Sequence, residues 1–401
     1  MTIQATGPLL GLRILDLSTL VAGPWAATLL ADLGAEVLKV ELPNGSDPLR
    51  GLPPHKDGVP LWWKTTNRNK RGITLDVRTD AGRELFLKLV AEHDVLIENF
   101  RTGTMDRWGL DRETLFAAQP HLTVLRVTGF GQTGPYRSRP GLARVFEAMS
   151  GFTHICGDPN GAPQHAGFPV GDSIAGLFGA IGILAAAFHR SSHPDAPGQE
   201  IDLAATEAMF RVMDFLAPEY QQLGVVRERV GNLNAYAAPA NIYRTSDGKW
   251  LSLAISTQAL FERFVQAIGR LDLLGDPRFT DNAKRVVHCP AIDRIVVDWV
   301  VERPLAELME ILGRHEVTFS PIYSIRDVLN DPHFIERKVT VPVPDRVLGD
   351  IQMHNVVPRF SATPGAIHRT GPDLGEHNAE VYRELGLTAE QLEALAAARV
   401  I

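Results

Sequence analysis

The chain has 401 residues, 45% of them hydrophobic and 22% charged, with a formal net charge of −7. That length exceeds what one small core needs and predicts more than one lobe, while the composition excludes a disordered or fibrous protein. The modest negative charge gives no support to a nucleic-acid partner, and two cysteines, Cys156 and Cys289, are too few for a disulfide framework or a structural zinc site.

In chain order, RILDL predicts a buried strand, WAATLLADLGA a helix and EVLKVEL a second strand, a βαβ unit over residues 12–42. Further strands are predicted at 72–77, 94–100 and 122–130, with a helix at 81–93 between the first two. This alternation predicts an α/β fold with a parallel sheet and helices on its faces. An apolar helix rich in Gly and Ala is expected from about Ser173 to His189, followed by a short strand and a helix from GQEIDL onward. Near residue 225 the texture changes to strands joined by the turn SDGK. A large domain is therefore expected over 1–224 and a smaller α+β domain over 225–325, followed by a C-terminal segment over 326–401. The last helix opens at Thr388, where Thr-x-x-Gln reads as a capping box. No basic leader precedes an apolar core at the N-terminus, and no uninterrupted apolar run reaches the length of a membrane span. A cytoplasmic protein with no membrane partner is the expectation.

Gly129-Phe-Gly-Gln-Thr-Gly134 matches G-x-G-x-x-G, but Pro135 and a polar run follow it instead of a helix, so the dinucleotide reading fails on context. The histidines show no metal-ligand spacing and no G-x-S-x-G elbow is present, so no metal is expected. Lys64, Arg68, Lys70 and Arg71, with Arg101, Arg107, Arg137, Arg139 and Arg144 downstream, form a basic concentration of the kind a phosphate-rich small ligand needs. Asp172, between Gly171 and the apolar helix, reads from position alone as a helix N-cap; Glu147 reads as an exposed helical acid.

Taken together, GLRILDLSTLVAGPWAATLLADLGAEVLKVELP, NRNKRGITLDV, DVLIENFRTGTMDRWGL, VTGFGQTGPY, VGDSIAGLFGAIGILAA, GQEIDL and PDLGEHNAEVYRELGL resemble the family III CoA-transferases, the group of formyl-CoA transferase, carnitine CoA-transferases and α-methylacyl-CoA racemase. The resemblance implies an interlaced, ring-shaped homodimer acting on acyl-CoA and carboxylic acid substrates, each subunit with a Rossmann-like large domain from both chain ends, to which segment 326–401 returns, and a smaller middle domain. It implies that Asp172, in the G-D-x-x-x-G segment, is the nucleophile, and that Glu147 is the acid beside it. Coenzyme A contacts are implied at Val21, Ala22, Lys39, Leu75, Arg78, Asn99, Phe100, Arg107 and Arg144. The chain departs from formyl-CoA transferase in carrying Val21 for a glutamine, Leu42 for a basic residue and NLNAYAAP at 232–239 for a glycine-rich loop. It also has Gly141-Leu142-Ala143 where the racemases place a histidine. These departures disfavour formyl and oxalyl substrates and two-base racemization. A carboxylate nucleophile conserves thioester energy by passing through an acyl anhydride and an aspartyl-CoA thioester. Two alternatives remain open at this point: proton transfer at the α carbon, and non-catalytic binding of acyl-CoA.

Overall fold

The computed structural model describes residues 6–45 and 47–401. They divide into two compact units, one of residues 6–152, 165–218 and 337–401, the other of 153–164 and 219–336. The first unit is built on a parallel sheet of six strands, β1 (Arg13–Asp16), β2 (Glu36–Glu41), β3 (Lys70–Thr74), β4 (Val95–Glu98), β5 (Thr123–Thr128) and β6 (Gln199–Ala204). Their order in space is β3-β2-β1-β4-β5-β6, with Leu15 of β1 in register with Leu38 of β2 and Leu96 of β4. Parallel strands covered on both faces read as nearly continuous apolar runs, and successive side chains then enter opposite layers. Leu15, Leu38, Leu96 and Val124 pack with Leu85, Phe86 and Leu89 of helix α2 (Asp80–Ala91) on one side. Ile14, Val37, Ile97 and Leu125 pack with Ala26 and Leu30 of helix α1 (Ala22–Asp32) on the other.

Two further helices complete that second layer, α3 (Ala143–Met149) and the long α4 (Val170–Ser192), and α5 (Ala205–Arg211) follows β6 directly. The glycines of α4 allow its close approach to α1: a Cβ on Gly176 would lie 2.6 Å from Cδ1 of Trp25. α4 begins three residues earlier than its apolar run suggests, because Pro169 takes the N-cap position. By length and by a mean hydropathy of 1.7 it also meets the requirement for a membrane span, against the expectation from uninterrupted apolar runs. Its small-residue face is nevertheless a core face, with Ala175, Gly179 and Ile183 buried, while Leu177, Ile181 and Phe188 along the helix stay exposed.

In the second unit, β7 (Ala240–Arg244), β8 (Trp250–Ala254) and β9 (Phe319–Pro321) form an antiparallel sheet in the order β9-β8-β7. The predicted SDGK turn joins β7 to β8, with Gly248 in the left-handed region. Tyr243, Leu251 and Leu253 from this sheet share a core with Phe261 and Phe264 of α6 (Gln258–Ala267), Ile292 and Val296 of α7 (Cys289–Val300), and Leu308 and Leu312 of α8 (Leu305–Arg314).

The chain then rejoins the first unit. In α9 (Asn378–Glu384), Asn378 accepts from the Thr74 amide at 2.8 Å and the Tyr382 hydroxyl donates to the Thr74 carbonyl at 2.6 Å, which ties the C-terminal segment to edge strand β3. The final helix α10 (Ala389–Ala397) carries the predicted capping box of Thr388 and Gln391.

Candidate active site

α3 and the first turn of α4 bring two carboxylates to one place. Glu147, in the last turn of α3, is 1% exposed, which corrects its reading as a surface acid. Its Oε1 accepts from the Gly171 amide at 3.0 Å, and its Oε2 accepts from Nδ1 of His165 at 3.1 Å. Gly171 is required by packing, since a Cβ there would lie 3.0 Å from the Phe146 ring and 3.2 Å from the Ala143 carbonyl oxygen. The residue immediately after it is Asp172.

Asp172 is the third residue of α4 and does not cap it. A capping aspartate in the first turn would be held ionised by helix amides. Here burial comes first, and the negative charge of Glu147 second, in pushing the Asp172 carboxyl from 3.8 up to about 7. A half-buried acid held against a second carboxylate at a helix start has no structural task that asparagine would not perform as well. It has the perturbed environment expected of a reacting group.

The implied coenzyme contacts separate into two sets. At the carboxyl ends of β1, β2 and β4 lies a cleft lined by Leu17, Thr19, Val40, Glu41, Leu42, Asp47, Val77, Phe100 and Trp108. In this strand order, β1 and β4 are where the connections reverse direction, and ligands of open α/β sheets sit outside the carboxyl ends at that point. Phe100 meets Trp108 edge-on with centroids 4.8 Å apart, and Asn99 clamps the backbone of Thr19 with two hydrogen bonds of 2.7 Å. Val21 and Ala22 form the buried start of α1 nearby. Leu75 is fully buried beside β2, donating its amide to the Glu41 carbonyl. Arg107 and Arg144 are exposed, Arg107 holding only a side-chain contact to Thr104 at 2.8 Å among those described. Arg78 is half-exposed and paired with Asp76 at 2.7 Å.

Lys39 differs. It is wholly enclosed, with its ammonium on the Ser18 carbonyl and flanked by Asp16 at 3.8 Å and Asp47 at 3.6 Å. Three of the four charges of the basic run, Lys64, Arg68 and Lys70, are likewise turned inward. Lys70 meets Asp16 at 2.8 Å, the Arg68 guanidinium forks onto Asp32 at 2.5 Å, Lys64 pairs with Asp345 and Asp373, and Arg71 pairs with Glu380 and Glu384. Buried charges require partners, so Lys64, Arg68 and Lys70 hold the unit together, while Arg71 is engaged near the surface by two exposed glutamates; with each charge paired, the run is not the free phosphate surface it resembles in sequence. Glu41, which superficially resembles a ribose-binding acid, is occupied by Arg50 at 2.7 Å. Sequence reasoning did not single out His165. Its signal, a lone histidine seven residues before Asp172, carries nothing until Glu147 is placed against it.

The family model for CoA-transferase family III matches residues 9–378. The chain is 43% identical over 396 residues to succinyl-CoA–D-citramalate CoA-transferase of Chloroflexus aurantiacus, covering 98% of each chain. It is 34% identical to succinate–glutarate CoA-transferase of Agrobacterium fabrum, covering 94% of this chain and 96% of that one. Among solved structures, a CAIB/BAIF family protein from Brucella suis superposes with a TM-score of 0.83 at 34% identity, over 95% of this chain and 100% of the other.

Proposed function

Because the chain belongs to CoA-transferase family III and is a CoA-transferase, we propose that it carries the transfer on Asp172, with succinyl-CoA as donor and a dicarboxylic acid as acceptor. The observation that supports this reading is Asp172 itself, a carboxylate at a helix start that burial and Glu147 hold near neutrality. Attack of its carboxylate on the donor thioester forms a mixed anhydride and releases CoA thiolate. The thiolate then attacks the aspartyl carbonyl, giving an aspartyl-CoA thioester and the free donor acid. The acceptor carboxylate repeats the exchange in reverse, leaving Asp172 free and CoA on the new acid. The dicarboxylate class rests on the relatives' substrates.

The homodimer expected from the resemblance is part of the proposal. It is supported by the uncovered apolar side chains Leu177, Ile181 and Phe188 on the same helix that carries Asp172, since apolar patches of this kind mark interfaces. Sedimentation at micromolar protein should return twice the 44.0 kDa chain mass. A cytoplasmic location belongs to the same reading.

The test of the chemistry is chemical trapping. With succinyl-CoA and hydroxylamine and no acceptor, residue 172 should become a hydroxamate detectable in its peptide by mass. A hydroxamate on Glu147, or none anywhere, rejects the assignment. A screen of acyl-CoA donors against mono- and dicarboxylate acceptors tests the substrate class; preference for a monocarboxylate pair rejects it.

A further inference from the structure

We propose that His165 is a positioning residue whose imidazole neutralises Glu147 and so keeps Asp172 ionised below the pH at which the two carboxylates alone would take up a proton. The inference rests on the reading of Asp172 as nucleophile. Two contacts and an exposure carry it. Glu147 is sealed from water with one oxygen on the Gly171 amide and the other on Nδ1 of His165. An ionised carboxylate only accepts, so the facing Nδ1 bears the proton. His165 keeps a quarter of its side chain exposed, on the solvent side of Glu147.

The arrangement leaves three protonation partners in a row. With imidazolium against it, Glu147 forms a pair of zero net charge, and the repulsion that it exerts on Asp172 is offset. With the imidazole neutral, that repulsion is uncompensated. The Gly171 amide donates to Glu147, whereas Asp172 is the carboxyl that burial and Glu147 push up, and a proton taken up there removes the nucleophile. Two interacting carboxylates titrate as a pair, and His165 moves the pair's upper step downward.

Other charges on the elements packed around the site do not substitute for it. Arg144 on α3 and Glu207 and Arg211 on α5 are exposed. Asp32 at the far end of α1 is tied to Arg68, Arg126 and Glu200 on β5 and β6 are tied to each other, and Asp202 on β6 accepts from the Gln132 amide. His189 and Arg190 lie in the last turn of α4, at its opposite end.

The test follows the rate of hydroxamate formation on residue 172 against pH, at saturating succinyl-CoA, in wild type, His165→Gln and His165→Lys. Glutamine keeps a donor toward Glu147 without the charge; lysine keeps the charge. The acid limb of His165→Gln should move to higher pH by about one unit, a tenfold lower rate on the acid side with convergence at high pH. His165→Lys should keep the limb at or below its wild-type position. A wild-type limb retained in His165→Gln, or a rate reduced equally at every pH, overturns the role of His165 while leaving Asp172 as nucleophile. Absence of the hydroxamate from residue 172 in wild type fails the nucleophile reading itself, and this inference with it.

Discussion

Replacing Asp172 by asparagine should make the protein more stable and inactive. The sign follows from the direction of the shift. An acid whose folded pKa is raised holds its proton more tightly when folded, so ionising it costs stability once the pH exceeds its unfolded value. The gap from 3.8 to about 7, at about 1.4 kcal/mol per pH unit, limits that cost to about 4 kcal/mol. Solvent reaching the half-buried carboxylate lowers it to about 2–3 kcal/mol. Asparagine has nearly the same shape and no charge, so it escapes the cost. For a chain of this length, extending the inverse scaling with size, that is a rise in Tm of about 2–6 °C at pH 8. The rise should shrink steadily as the pH falls from 7 towards 4 and vanish only below the unfolded value of 3.8, where aspartate is neutral in both states. Transfer of CoA between succinate and an acceptor, followed by mass spectrometry, should fall by at least about 10⁴-fold. Thermal melts of both proteins at pH 4, 6 and 8 give the stability arm. Equal Tm values at pH 8 would show that Asp172 is not held against its charge, and an active asparagine variant would show that another carboxylate does the chemistry.

Other expectations concern the frame around the site. Arg107→Ala and Arg144→Ala should leave Tm unchanged, both side chains being exposed, while raising KM for the donor thioester about tenfold or more, the worth of a lost charge-assisted hydrogen bond; unchanged KM in both would remove them from the coenzyme site. Gly176→Val should cost about 1–3 kcal/mol in urea melts, because its first added carbon would meet Trp25 at 2.6 Å, and a stability equal to wild type would mean that α1 and α4 are less tightly joined than described. Arg68→Ala should cost about 3–5 kcal/mol by stranding Asp32 in the interior. The double change Arg68→Met with Asp32→Leu should recover most of that loss, and a double variant as unstable as the single one would contradict the charge argument.

Much of the frame was legible because its signals are local. The apolar runs of β1, β2, β4 and β5, the SDGK turn and the Thr388 capping box all depend on residues a few positions apart, and each lies where its pattern implied. The failed G-x-G-x-x-G is also local: the segment after Gly134 forms turns, and the next helix starts at Ala143. Asp172 could be picked out by family resemblance, but position alone favoured a cap, because a carboxylate near a helix start is ordinarily there for the amides.

What the sequence by itself determined is the alternation of strand and helix, and with it the parallel sheet whose carboxyl ends form the cleft. What only the tertiary structure decided is the state of each charge. Lys64, Arg68 and Lys70 look in sequence like a basic surface, yet they find Asp345, Asp32 and Asp16 at separations of 281, 36 and 54 residues. Glu147 looks exposed until the first turn of α4 closes over it, and His165 acquires a partner only then. The strength of a charge depends on how much water is removed and on which partner replaces it. Both are settled by chain segments that meet only in the folded protein.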